Sequence, residues 1–131
     1  MSVIRVFIYG SLLPGHSNHH VVSDFIRHSV EGEIQGRLVD YGPYPAAIRD
    51  AEAASKTIRG MWIDVDRDGL ASMDVLEGFI GIEESNDYDR VWAADLQDCS
   101  LAGWVYVWNE SRGYPAIPDR YWPDYFARKT G

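Results

Sequence analysis

The sequence predicts a strand-rich fold of mixed α and β elements, on three observations. The apolar run Val3-Ile4-Arg5-Val6-Phe7-Ile8 passes directly into Tyr9-Gly10-Ser11-Leu12, the pattern of a strand buried on both faces that stops at small residues. Two β-rich runs, Tyr88 to Leu96 and Ser100 to Trp108, are joined by Gln97-Asp98-Cys99 and read as a hairpin. Helical periodicity is confined to short stretches: Val21, Val22, Phe25 and Ile26 in one, Leu70, Met73 and Leu76 in another.

Taken in order, the first strand is followed by a Gly- and Pro-containing loop and a short helix over residues 19–27, with Ser17 or Asn18 as its N-cap. Ile34, Leu38 and Val39 among Gly32 and Gly36 predict strand over residues 30–40, and Tyr41-Gly42-Pro43-Tyr44-Pro45 breaks the chain. Ala46 to Arg49 forms a brief strand and Asp50 to Ser55 an exposed turn. Thr57 to Val65 forms a long strand interrupted at Gly60. The second helix is capped by Asp68 at its start and Gly78 at its end, so that Glu77 is its last residue. Residues 79–87 are polar and acidic, and beyond Trp108 the aromatic residues Tyr114, Tyr121, Trp122, Tyr125 and Phe126 are expected to pack back over the core. No repeat, linker or composition shift divides the chain, which reads as a single domain over residues 1–131.

With 131 residues, 46% of them hydrophobic, the chain can bury a sizeable core, and disorder is not the default expectation. A net charge of -8 without a basic stripe argues against nucleic acid and against an anionic membrane surface as partners. A lone cysteine, Cys99, cannot form an internal disulfide, and no positively charged leader or long apolar run is present, so the expectation is a cytoplasmic protein with no membrane span.

Several constellations invite chemistry. Gly10-Ser-Leu-Leu-Pro-Gly15-His16-Ser17 has the spacing of a phosphate-binding loop, but His16 stands where a permanently charged lysine is needed. His19 and His20 are adjacent and diverge on a helix, and Asp24 alone does not complete a tetrahedral set, so no metal site is expected. Ser11 lacks the flanking glycines of a nucleophile elbow. Two readings stand for Gly10-Ser11: a plain turn at a strand end, or a nest of uncovered amides for a carboxylate or oxyanion. Two also stand for Glu77. Its place at a helix C-terminus is opposed by the helix dipole by ~0.3 to 1 kcal/mol, so it is either a solvated surface glutamate or an inward carboxyl beside Met73, Leu76 and Phe79 whose pKa is raised for proton transfer.

Tyr9-Gly10-Ser11-Leu12, Gly36-Arg37-Leu38 before Tyr44-Pro45-Ala46, Gly60-Met61-Trp62, Asp74-Val75-Leu76-Glu77-Gly78, Tyr88-Asp89-Arg90 and Ala102-Gly103-Trp104-Val105-Tyr106-Val107 together resemble the γ-glutamylcyclotransferase-like (AIG2-like) family. The resemblance runs nearly to Trp108. It implies an α+β fold built on a small mixed β-barrel with short helices, and an enzyme that acts on a small γ-glutamyl substrate without metal or cofactor. Intramolecular attack of the α-amine on the γ-carbonyl would release 5-oxoproline and a free amine. The resemblance implies that Glu77 is the catalytic acid and base, that Tyr9, Gly10, Ser11 and Leu12 bind the substrate, and that Tyr88 and Arg90 lie near the pocket. Arg90 equally suits a structural ion pair on its strand. The acidic stretch with Glu83, Glu84 and Asp87 suggests a bulky or cationic amine, and the C-terminal segment is expected to shape the leaving-group pocket. Two other functions remain open on the same residues: a different amide-cleaving or acyl-transfer enzyme, and a non-catalytic module binding a small carboxylate.

Overall fold

A computed structural model describes residues 3–78 and 87–130, so that Phe79, Glu83 and Glu84, named above, lie outside the described residues. Among the described residues seven strands form one mixed sheet, curled into a half-barrel and accompanied by two short helices. The strands are β1 (Ile4–Ile8), β2 (His28–Gln35), β3 (Arg37–Tyr41), β4 (Tyr44–Ile48), β5 (Thr57–Val65), β6 (Asp89–Ala94) and β7 (Ala102–Trp108). The helices are α1 (Arg67–Glu77), between β5 and β6, and α2 (Trp122–Thr130) at the C-terminal end. The strand order is β2-β5-β1-β7-β4-β3, with β6 pairing β7 outside that path.

One junction in this sheet positions the site. β6 runs antiparallel along β7 from Ala94↔Ala102 to Asp89↔Val107 and so occupies one whole edge of β7. The other edge is shared by two parallel neighbours: β1 at Trp104 and Val105, then β4 at Val107 and Trp108. The chain leaving β1 at Tyr9 is therefore displaced from β7 by β4. The Tyr9 hydroxyl spans the changeover, donating to the Tyr106 carbonyl at 2.6 Å and accepting from the Ala47 amide at 3.1 Å. Strand alternation divides the core accordingly, with Val6, Ile8, Tyr106 and Trp108 in one cluster and Phe7, Val105 and Val107 in the other.

Four local expectations are corrected. Residues 19–27 do not form an α-helix but two 3₁₀ turns, His19–Val21 and Ser23–Phe25. The Asn18 side chain donates to the Ser11 hydroxyl instead of capping, and the Arg27 amide is taken by the Asp64 carbonyl, so too few residues remain to propagate a helix. The expected strand over residues 30–40 is two strands that turn at Gly36 and pair with different partners, β2 with β5 and β3 with β4. β5 runs unbroken through Gly60, which pairs with Gly32. The cap of α1 is Asp66, not Asp68, its side chain accepting from the Gly69 amide at 2.9 Å. Asp50 to Ser55 includes a short 3₁₀ turn, Glu52–Ser55. At its far end α1 closes on Gly78 in the left-handed region, φ 67°, as the glycine at that position predicts. Trp122 on α2 is 1% exposed in the Phe7 cluster. The helix is fastened by Tyr125 and Lys129, both donating to the Asp40 carboxylate.

Candidate active site

A cavity of about 240 Å³ opens at the changeover on β7. It is lined by the exit from β1, Tyr9 to Leu12, by Pro45 on β4, by Glu77 at the end of α1, and by Tyr88 and Tyr106. The loop is braced through its carbonyls. Leu13 N–H donates to Gly10 at 3.0 Å, Asn18 N–H to Ser11 at 2.9 Å, and the His19 ring lies 2.8 Å from the Leu12 carbonyl. Among the described residues no protein group accepts from the Ser11 or Leu12 amide, which leaves these donors at the cavity for an anionic or carbonyl oxygen. Gly10 is required by close approach. A Cβ there would lie 2.6 Å from Pro45 Cγ.

Glu77 is half-buried, and its carboxyl has no hydrogen-bond or ion-pair partner among the described residues. Loss of solvation pushes its pKa up to about 7. Its position is held from both sides: Gly78 ends the helix, and the Tyr88 amide donates to the Glu77 carbonyl at 3.1 Å. Three phenols share the neighbourhood. Burial raises Tyr9, Tyr88 and Tyr106 above the ordinary tyrosine range, assisted by the Asp74 carboxylate at Tyr106 and by the nearby Glu77 charge at all three. Tyr88 donates to the Pro45 carbonyl at 2.9 Å and Tyr106 to Asp74 Oδ1 at 2.6 Å. All three stay protonated, so among the described lining residues Glu77 is the group whose pKa suits proton exchange near neutral pH.

Of the residues named from the sequence, Glu77, Tyr9, Gly10, Ser11, Leu12 and Tyr88 are brought together around the cavity. Arg90 is not. It sits behind the wall, its Nη1 2.8 and 2.9 Å from the Asp74 carboxylate and its guanidinium 4.8 Å from the Trp104 ring centre. Asp74 lies one turn before Glu77 on α1, so the pair ties that helix to β6, and through Tyr106 to β7. His16 stands apart against Phe126, with burial lowering its pKa. Sequence reasoning missed Tyr41, Tyr44, Asn18, Trp108 and Arg112 as lining residues. The period-two alternation of Trp104, Tyr106 and Trp108 was the available signal for Trp108. Arg112 had none. It is the described lining residue that comes from the segment after Trp108, where Tyr114 also packs against the lining residues Tyr41 and Trp108, whereas Trp122 of α2 packs in the Phe7 cluster. No described helix is long and apolar enough to cross a membrane.

Comparisons with known proteins place the chain among relatives of the same fold. The chain is 30% identical over 108 residues to the γ-L-glutamyl-butirosin B γ-glutamyl cyclotransferase of Niallia circulans, covering 80% of this chain and 67% of that protein. Its fold matches YkqA of Bacillus subtilis with a TM-score of 0.75 at 16% identity, over 99% of this chain but only 44% of YkqA. It also matches an AIG2-like protein of Mus musculus, TM-score 0.64 at 19% identity, over 89% of this chain and 87% of that one. A family model described as γ-glutamyl cyclotransferase, AIG2-like, matches residues 6–124, and the chain belongs to that family.

Proposed function

We propose that this chain is a γ-glutamyl cyclotransferase that converts a γ-glutamyl amine into 5-oxoproline and the free amine. Glu77 serves as its acid–base group, and the loop from Tyr9 to Leu12 holds the γ-glutamyl part. The observation that carries this reading is a carboxyl with a pKa of about 7 that lines the same cavity as the Ser11 and Leu12 backbone, with neither the carboxyl nor those two amides partnered among the described residues. Membership of the family and the relative in Niallia circulans support it.

The chemistry asks for little else. The α-amine of a γ-glutamyl amine sits beside a free α-carboxylate and is more basic than a peptide N-terminus, so a carboxyl raised to about 7 accepts its proton at smaller cost than an ordinary glutamate would. Ionised Glu77 accepts a proton from the α-ammonium, and the freed nitrogen attacks the γ-carbonyl carbon. The new C–N bond closes a five-membered ring while the carbonyl oxygen gathers negative charge, which the Ser11 and Leu12 amides are available to stabilise. Collapse breaks the original amide C–N bond, and Glu77 returns its proton to the departing nitrogen. The attacking ammonium loses two protons and the departing amine gains two, so no water is consumed. Because nucleophile and electrophile belong to one molecule, the site has mainly to fold the substrate into a near-attack shape.

Mass spectrometry of the products from a panel of γ-glutamyl amines tests the reading. Equal amounts of 5-oxoproline and free amine are expected. Free glutamate in place of 5-oxoproline would mean that water, not the substrate's amine, attacks, and would overturn it.

A further inference from the structure

The cavity has an inner and an outer half. Phe7, Ile8 and Tyr106 at its base are nearly inaccessible, whereas Tyr41 and Tyr44 are 40% and 37% exposed and Arg112 is exposed at the mouth. If the loop and Glu77 hold the γ-glutamyl part, as proposed above, the amine half must leave through this outer half.

Most of its aromatic rings are occupied with each other. Tyr41 meets Trp108 edge-on at 5.1 Å and Tyr114 at 4.8 Å, and Tyr88 lies 5.5 Å from Trp108. Tyr44 is different: among the described residues its ring has no aromatic or cationic partner, though it lines the cavity. Its position is firm, because it pairs with Tyr41 across the β3–β4 turn, and that turn is pinned by Lys129 on the Asp40 carboxylate and the Gly42 carbonyl. Arg112 lines the same cavity. One face of its guanidinium covers Trp108 at 4.1 Å, and Nη2 donates to the Asp87 carbonyl at 2.8 Å. Its other N–H groups have no acceptor among the described residues. Among the described residues the mouth therefore offers two features, a partly exposed tyrosine ring without a ring or cation partner and an oriented guanidinium with N–H groups to spare. Asp87 lines the cavity beside Arg112, while Glu83 and Glu84, the other acidic residues of that stretch, lie outside the described residues.

We propose that this outer half is the subsite for the amine part of the substrate and takes an aromatic α-amino acid, its ring against Tyr44 and its carboxylate on Arg112. Ring stacking on a tyrosine and a charge-assisted contact to a guanidinium each discriminate by roughly tenfold when desolvated. The inference rests on the proposed function, and binding to Glu77→Gln separates the two. Calorimetry with that variant compares γ-glutamyl-phenylalanine with γ-glutamyl-alanine, which lacks the ring. It also includes γ-glutamyl-phenethylamine, which lacks the carboxylate, and ε-(γ-glutamyl)-lysine, which is bulky and carries an added ammonium. Phenylalanine should bind at least about tenfold tighter than each of the others. Adding Arg112→Met should bring the phenylalanine-to-phenethylamine ratio close to one, and adding Tyr44→Leu should shrink the phenylalanine-to-alanine ratio, with circular dichroism confirming the fold of each. Equal binding of phenylalanine and alanine, or tightest binding of the lysine conjugate, overturns the subsite even if wild type makes 5-oxoproline. The expected binding order without any 5-oxoproline from wild type leaves the subsite standing and overturns the reaction instead.

Discussion

Glu77 carries the proposed chemistry, and the change to glutamine keeps its shape while removing its proton. Glu77→Gln should lower kcat by on the order of 100- to 10,000-fold without unfolding the chain. In wild type, kcat/KM should climb with pH through about 7 as the carboxyl ionises in the free enzyme. A rate that is flat from pH 5 to 8 would assign the proton transfer to another group. Gly10 is open to an equally direct test, because any Cβ there collides with Pro45. Gly10→Val should raise KM and cost about 1 to 3 kcal/mol of stability in urea titrations. The difference between these residues and the arginines is one of range. Tyr9, Gly10 and Ser11 announce themselves by a strand ending in small residues, a pattern contained within five positions. Arg90 and Arg112 acquire their roles only from partners brought by other elements, Asp74 on α1 for one and Trp108 with Asp87 for the other, and no local pattern distinguishes a structural arginine from one at a cavity mouth.

Helix α1 holds Glu77 in place, and its two ends are secured by different means. Asp66 satisfies the first turn, while Gly78 and the Tyr88 amide secure the last. Asp66→Ala should destabilise the chain by about 1 kcal/mol and leave kcat/KM unchanged, a combination that urea midpoints and rate assays read together. A change in kcat/KM would mean that the helix start transmits strain to Glu77. The helix was legible in the sequence because apolar spacing and a terminal glycine agree. The 19–27 segment misled because its apolar spacing is equally helical, and the competing hydrogen bonds of Asn18 and Arg27 go to residues invisible from local sequence. The break at Gly36 was missed for a related reason: both halves are strand, and only their different partners show that they are two.

The pH dependence of stability belongs to the molecule as a whole. Glu77 titrates higher folded than unfolded, so between its ordinary 4.5 and about 7 the native state binds more protons than the unfolded one and loses stability as pH rises. Asp95 works the other way. Its carboxylate accepts from Trp62 and from the Glu33, Gln97 and Asp98 amides. Burial opposes its ionised form, but these bonds prevail and lower its pKa, so its contribution is lost as pH falls below the ordinary 3.8. His16, whose pKa burial lowers, adds stability as pH rises toward 6.5 in both proteins, so the expected outcome is a difference: the urea midpoint of wild type should fall relative to that of Glu77→Gln as pH rises from about 4.5 to about 7. Parallel curves for the two proteins would place Glu77 in solvent. The half-barrel was legible as a set of strands and as a family resemblance, whereas the sharing of β7 by β1 and β4 was not, since strand patterns specify faces and not neighbours. That sharing has a kinetic consequence. The Tyr9 hydroxyl reaches the Tyr106 carbonyl across 97 positions of chain, so the cavity joins the two extremes of the β-sheet in sequence. Such closure is slow, in the millisecond-to-second range typical of non-local β topologies. On a ribosome, the first strand must wait for nearly the whole chain to emerge before a binding site exists at all.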